Sequence, residues 1–286
     1  MNGSLGRDKI WNEHIWSEID KAVREEVGRI RVAQKVFPSA VVNNVLPVSA
    51  NRIVPLGAAA PAIVPVPDQF EPFLEISREF MLSQAQVDGD ENLQLAPSYA
   101  KSAASVIAYA EDTILFFGPL GIGAVLATGV NVTNQPAALP LGFVAEAIAY
   151  PPFTGVLGNI LAAVAGGIAA LNGRAQTGPY ALFLSPDRYA QSFAPPANFL
   201  RAPGDQLNHV VTGGFYMVNS LALVPPPNDI GILVSLGGEP AKIILGTDAI
   251  TAFTYTDGGG NYHFRVFERI QLVVRDGRAF QILQYP

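Results

Sequence analysis

The 286 residues contain no cysteine, so disulfides, thiolate metal sites and thiol catalysis are ruled out and the redox compartment stays open. Charge is scarce. Asp, Glu, Lys and Arg make up 15% of the chain, against about a quarter in an average soluble protein, so much of the surface is uncharged and calls for cover by neighbouring subunits. No run of Lys or Arg occurs and the formal net charge is −6. The electrostatic footprint of a protein that wraps nucleic acid is therefore missing, and no nucleic-acid partner is expected. Histidine is limited to His14, His209 and His263, and only His14 has carboxylates, Glu13 and Glu18, near it on one helix, too few convergent ligands for a metal. Neither a Gly-x-Ser-x-Gly elbow nor a Gly-x-x-x-x-Gly-Lys cradle is present. The adjacent carboxylates Glu25-Glu26, Asp90-Glu91 and Glu111-Asp112 point apart on a helix and make no acid/base pair. No catalytic site, metal or cofactor is expected.

What is present is a large apolar share, 49% of residues, enough for one large domain or two intimately joined ones. From Trp11 to Phe37 the residues Ile15, Trp16, Ile19, Val23, Val27, Ile30 and Ala33 recur at helical spacing with charges between them. Pro38 ends that helix. Seven prolines among Val, Ile and Ala between 38 and 72 predict an extended arm rather than a central strand. A strand over Phe73–Leu82, a turn at Asp88-Gly89-Asp90 and a helix over Ser98–Phe117 stopped by Gly118-Pro119 follow. Gly121-Ile122-Gly123 has neither a third glycine nor a preceding strand, so it is no dinucleotide loop. Residues 129–152 read as a neutral loop and 153–172 as a helix. Phe153–Leu171 is uncharged and close to membrane-spanning length. Its Ala and Gly content, Asn159, the preceding Pro151-Pro152 and the missing basic flank favour a buried helix, so no membrane partner is expected.

Tyr180–Leu184 reads as a buried strand, and Ser185-Pro186-Asp187 opens a short helix as cap, first-turn proline and dipole-matched acid. Residues 194–214 read as a long loop around an opening. The last eighty residues read as a β-meander with strands at Leu221–Val224, Ile230–Ser235, Lys242–Leu245, Ala249–Tyr255, Tyr262–Val274 and Ala279–Gln284. The class is α+β. The opening Met1-Asn2-Gly3-Ser4 leads into a charged amphipathic stretch, unlike a secretory leader, and a cytoplasmic location is expected.

Several segments, in order, resemble the encapsulin shell proteins, which share the fold of tailed-phage major capsid proteins. They are Trp16-Ser17-Glu18-Ile19-Asp20 with Arg24-Glu25, Pro72 to Phe80, Ala110-Glu111-Asp112, Gly178 to Leu182 continuing to Pro186-Asp187, Val234-Ser235, Ile243 to Asp248, and Phe264-Arg265-Val266 with Glu268. The resemblance implies a capsid-like fold with an N-terminal helix (1–37), an extended loop (38–72), a peripheral domain with a spine helix (73–128), an axial domain (129–220) and a C-terminal sheet returning to the peripheral domain (221–286). It implies self-assembly into an icosahedral nanocompartment around a cargo protein with a short docking tail, typically a peroxidase or a ferritin-like enzyme. A viral or proviral capsid protein is the alternative with the same fold. By position, Val27, Ile30, Gln34, Ile232, Leu233 and Val234 would line an apolar cargo groove, and Pro195, Pro196, Asn198, Pro203 and Gly204 would form the loop at the vertex pore.

Overall fold

The computed structural model describes residues 5–42, 73–90, 94–133, 142–148, 160–195, 201–223 and 229–285, with the backbone of five short strands at 48–49, 53–55, 63–65, 70–71 and 153–154. The chain begins with α1 (Glu13–Ile30), α2 (Ala33–Val36), β1 (Ser39–Val41), β2 (Val48–Ser49), β3 (Ile53–Pro55), β4 (Ile63–Pro65), β5 (Phe70–Glu71), β6 (Leu74–Ser83), α3 (Gln84–Asp88), α4 (Leu95–Phe117) and α5 (Ile122–Ala127). It continues with β7 (Asn131–Thr133), α6 (Gly142–Ile148), β8 (Phe153–Thr154), α7 (Ile160–Gly173), β9 (Tyr180–Leu184), α8 (Pro186–Ser192), α9 (Pro203–Val210) and β10 (Gly214–Met217). The last strands are β11 (Asp229–Ser235), β12 (Ala241–Thr256), β13 (Asn261–Val274) and β14 (Phe280–Tyr285).

Two five-stranded sheets organise these elements, one in the order β1-β12-β13-β6-β7 and the other β10-β9-β11-β14-β8. The first carries α1 and α4 on one face. Its spine is the long antiparallel β12–β13 pair, whose register shifts near Thr247 and Tyr255 mark bulges that bend a strand otherwise too long to follow the sheet's twist. The arm begins as a two-stranded antiparallel ribbon: β2 pairs with β5 and, nested within it, β3 pairs with β4.

The expected C-terminal meander is divided between the sheets. β11 lies between β9 and β14, and its continuous apolar run is covered on both faces, Ile232 and Val234 in one core and Leu233 in the other. β12 and β13 join β6 instead. Lys242–Leu245 and Ala249–Tyr255 are one bulged strand, and Asn219–Leu223 is a 3-10 turn rather than a strand. The chain crosses between sheets at Gly237-Gly238, where Gly238 sits at φ 75°, a backbone setting that glycine adopts without a Cβ penalty.

Two segments read as loops contain helices. In 129–152, α6 buries Phe143, Val144 and Ala147, and Phe143 stacks on Phe37 at 4.6 Å and on Phe280 at 5.4 Å. Phe116 and Phe183 complete this aromatic knot, which ties α4 to the second sheet. In 194–214, Pro203 and Gly204 form the buried first turn of α9. A proline fits that turn because its missing amide would have no partner there.

Of the helix expected over 153–172, the part over Ile160–Gly173 is described, and Phe153-Thr154 pairs with β14 instead. At 14 residues, α7 is about 21 Å long, short of a bilayer's apolar thickness of about 30 Å. Among the described residues only Leu95–Ala127 is long and apolar enough to cross a membrane, and most of it is buried inside the fold.

α7 lies on the second sheet through Ile160, Val164 and Leu171, which pack with Leu182, Leu233 and Leu283. The approach is close at Gly167, where an added Cβ would stand 2.7 Å from Leu283 Cδ2 and 3.0 Å from Leu233 Cδ2. Gly167→Val therefore lowers stability by about 1–3 kcal/mol through overpacking. Gly28, inside α1 with open space around it, behaves oppositely. Gly28→Ala raises stability by about 0.5–1 kcal/mol, and urea titration of the two variants checks both signs.

Candidate functional site: the seat of the N-terminal helix

α1 is capped by Asn12, whose side chain accepts the amide of Ile15 at 3.0 Å, and it buries Ile15, Trp16, Ile19, Val23 and Val27 against α4 and β12. Its other face carries Glu18, Lys21, Arg24, Glu25 and Arg29 in solvent. Near its start, Arg7 grips the buried Asp20 with two bonds of 2.7 Å and donates to the carbonyl of Thr251 on β12. The Trp16 indole N–H donates to the carbonyl of Arg7 at 2.8 Å. The paired charges and their shared hydrogen bonds make burial of Arg7 and Asp20 tolerable.

The expected single helix to Phe37 breaks after Ile30. Arg31 leaves helical geometry at φ −49°, ψ 130°, and its buried guanidinium reaches three carboxylates: Glu111 on α4, Asp248 on β12 at 2.9 Å, and Glu268 on β13. The new helix α2 finds its cap in another element, because Asp112 of α4 accepts the amides of Val32 at 2.9 Å and Ala33 at 3.0 Å. Those amides are the unpartnered donors that any helix start leaves. Gln34 donates to Glu111 at 2.7 Å.

Burial opposes the charge on Arg31, but Glu268, Glu111 and Asp248 outweigh it and raise its pKa. Burial, then the charge of Glu111, moves Asp112 up to about 7 against the pull of the two amides and Arg31. Burial raises Glu268 well above the ordinary carboxylate range, with Arg31 opposing and Glu111 reinforcing the rise. Glu111-Asp112, Asp248 and Glu268, which stand in separate segments of the sequence resemblance, meet here around one arginine. Arg31 counts in the sequence only as one of the charges between the apolar positions of the first helix; the adjacent pair Glu111-Asp112 inside the apolar second half of α4 is the signal that could have called for a buried cation.

Of the six residues expected to line an apolar groove, Ile30 and Gln34 are half-buried and Val27 is buried under α1. Ile232, Leu233 and Val234 are fully buried, because β11 is an interior strand with Ile232 and Val234 in one core and Leu233 in the other. They offer a tail no surface. A groove of about 440 Å³ opens between α1 and the start of α4, lined by Glu18, Lys21, Glu25, Gln94, Ser98 and Lys101 together with Ala22 and Pro97. Of the expected pore residues, Pro195 is exposed, Pro203 and Gly204 belong to α9, and Pro196 and Asn198 lie outside the described residues. Among the described residues no group of His, Asp and Glu is arranged to hold a metal ion.

The profile of the family described as "Encapsulating protein for peroxidase" matches residues 10–271 of the chain, which takes in α1 and the Arg31 cluster and runs into β13. The chain belongs to the encapsulin family. It is a structural shell protein rather than an enzyme, and it self-assembles. Among curated relatives, the type 1 encapsulin shell protein EncA of Myxococcus xanthus is 26% identical over 211 residues, covering 73% of this encapsulin and 67% of the relative. In fold, this encapsulin is similar to the virus-like particle protein of Pyrococcus furiosus, with a TM-score of 0.65 at 15% identity over 95% of this chain and 100% of that one. It is also similar to a solved structure from Mycobacterium phage Bobi, with a TM-score of 0.58 at 16% identity over 91% and 90% of the two chains. The fold is that of the phage major capsid proteins.

Proposed function

We propose that the encapsulin shell built by this chain is a closed icosahedral particle made only of its own copies, standing in the cytoplasm and enclosing a cargo enzyme that carries a short docking tail. The family match over residues 10–271 carries the reading, and the charge-poor composition supports it, since an uncharged surface is best satisfied by copies of itself. A peroxidase is the favoured cargo because the family is described by that enzyme; a ferritin-like enzyme is the next. Ile30 and Gln34, half-exposed beside the helix break, are the groove residues that keep surface for a tail. Pro195 and the residues that follow it are proposed to border the vertex opening.

Purification without detergent followed by negative-stain microscopy tests the assembly, and uniform closed particles are expected. A stable monomer at micromolar concentration overturns it. Absorbance spectra separate the two capsid-like roles: particles free of nucleic acid fit the compartment, and nucleic-acid-filled particles assign the chain to a viral capsid, against its net charge of −6. Co-expression with a candidate cargo, with and without its terminal tail, decides whether loading follows the tail.

A further inference from the structure

α5 reads Ile122-Gly123-Ala124-Val125-Leu126-Ala127, apolar on every side, and no Asp, Glu, Lys or Arg occurs from Thr113 to Ala145. A helix of that composition is stable only when it is covered all round. The subunit covers one side. Val125 is fully buried, and an added Cβ at Gly121 would stand 2.8 Å from the carbonyl oxygen of Thr113, so the turn Gly118–Gly121 and α5 are pressed against α4. The other side is open. Leu120 is 78% exposed and Leu126 48%, Pro119, Gly123 and Ala127 are exposed beside them, and an added Cβ at Gly123 would meet nothing within 4 Å. Leu120, Gly123 and Leu126 follow one another at three-residue steps, which sets them along one stripe. Arg78 of β6 closes the far end by donating to the carbonyl of Thr128 at 2.8 Å, so both ends of the stripe are fixed within the subunit.

We propose that this Leu120–Leu126 face is a dry contact between neighbouring copies of the chain in the shell. Every subunit repeats the face, and only a partner present in equal number can cover each repeat; copies of the same chain meet that condition by construction. The absence of charge suits the centre of a protein contact, where charged side chains are depleted, and the small side chains at Gly123 and Ala127 let another backbone approach closely. A bilayer is the wrong occupant. The six residues of α5 span about 9 Å, against an apolar thickness of about 30 Å. The contact rests on the self-assembly of the chain and deepens the proposed function by naming a surface that carries it.

Leu120→Asp in the full-length chain tests it. At so exposed a position the circular dichroism and tryptophan emission of the subunit stay as in the parent. In the shell the new carboxylate would lie in an apolar contact, so the concentration at which closed particles form, followed by light scattering, rises about tenfold or more. Leu120→Met keeps the apolar volume and assembles as the parent does. Leu120→Cys gives the cysteine-free chain a single thiol on the face. Its labelling by a maleimide is lost in assembled particles and recovered when Leu126→Asp is added to keep the subunits apart. Assembly of Leu120→Asp at the parent's concentration, or free labelling of Leu120→Cys in closed particles, overturns the contact alone. Protection that persists in separated subunits assigns the cover to the chain's own residues and overturns it too. A parent chain that stays monomeric overturns the proposed particle and the contact together.

Discussion

Replacing Arg31 with methionine lowers the stability of the subunit by about 3–5 kcal/mol, because it strands two fully buried carboxylates without their cation. Urea unfolding at neutral pH measures the loss. The cost belongs to the orphaned acids rather than to a missing attraction, so adding Glu111→Gln and Glu268→Gln to the methionine variant restores most of the stability. Arg31→Lys recovers less, since one ammonium on a flexible stem cannot take up the three directions that the planar guanidinium serves. A loss below about 1 kcal/mol for Arg31→Met would mean that the cluster behaves as a surface ion pair and does not seat the helix.

Trp16→Ala is the second large effect, also about 3–5 kcal/mol. The indole is 1% exposed, lies edge-on to Trp11, and has the Arg7 guanidinium 5.0 Å from its ring centre. Truncation removes that packing and leaves the carbonyl of Arg7 without its donor. Trp16→Phe separates the two contributions. It keeps most of the apolar volume and loses the hydrogen bond, at about 1–3 kcal/mol. A calorimetric midpoint in Trp16→Ala equal to that of the parent chain would contradict the burial on which this expectation stands.

The parts of the fold legible in the sequence are those fixed by local pattern. The apolar face of α1, the strand Tyr180–Leu184 and the Ser185 cap, which accepts from the amide of Arg188, need only neighbours in the chain. The end of α1 was not legible, because its break and the restart at Ala33 depend on Asp112, about 80 residues further on. α6 was hidden for a related reason. Its seven residues sit in a neutral stretch rich in Pro and Asn, and Phe143 becomes a core residue only when Phe37, Phe116 and Phe280 surround it. The division of the last strands between two sheets is a choice of distant partners, which alternation along one strand does not encode. Ile232, Leu233 and Val234 read as groove residues by their position in the resemblance; packing on both faces of the sheet, Ile232 and Val234 in one core and Leu233 in the other, removes them from the surface. For Glu111-Asp112 the local rule held and its meaning did not. Adjacent helix positions do diverge, and that divergence lets one acid meet Arg31 while its neighbour caps α2.

The contacts of the first helix are among the most distant in the chain. Arg7 binds a carbonyl 244 residues away, and β1, just after α2, runs parallel to β12 with Ser39 opposite Ile243. At translation rates of about 5–20 residues per second, roughly 12–50 s pass between synthesis of Arg7 and of its partner. During that wait the amphipathic segment has α4 but not β12 to lie on. A ribosome-bound or truncated polypeptide therefore cannot complete the surface on which α1 lies, and finishing translation becomes the timing signal that separates a nascent chain from a building block.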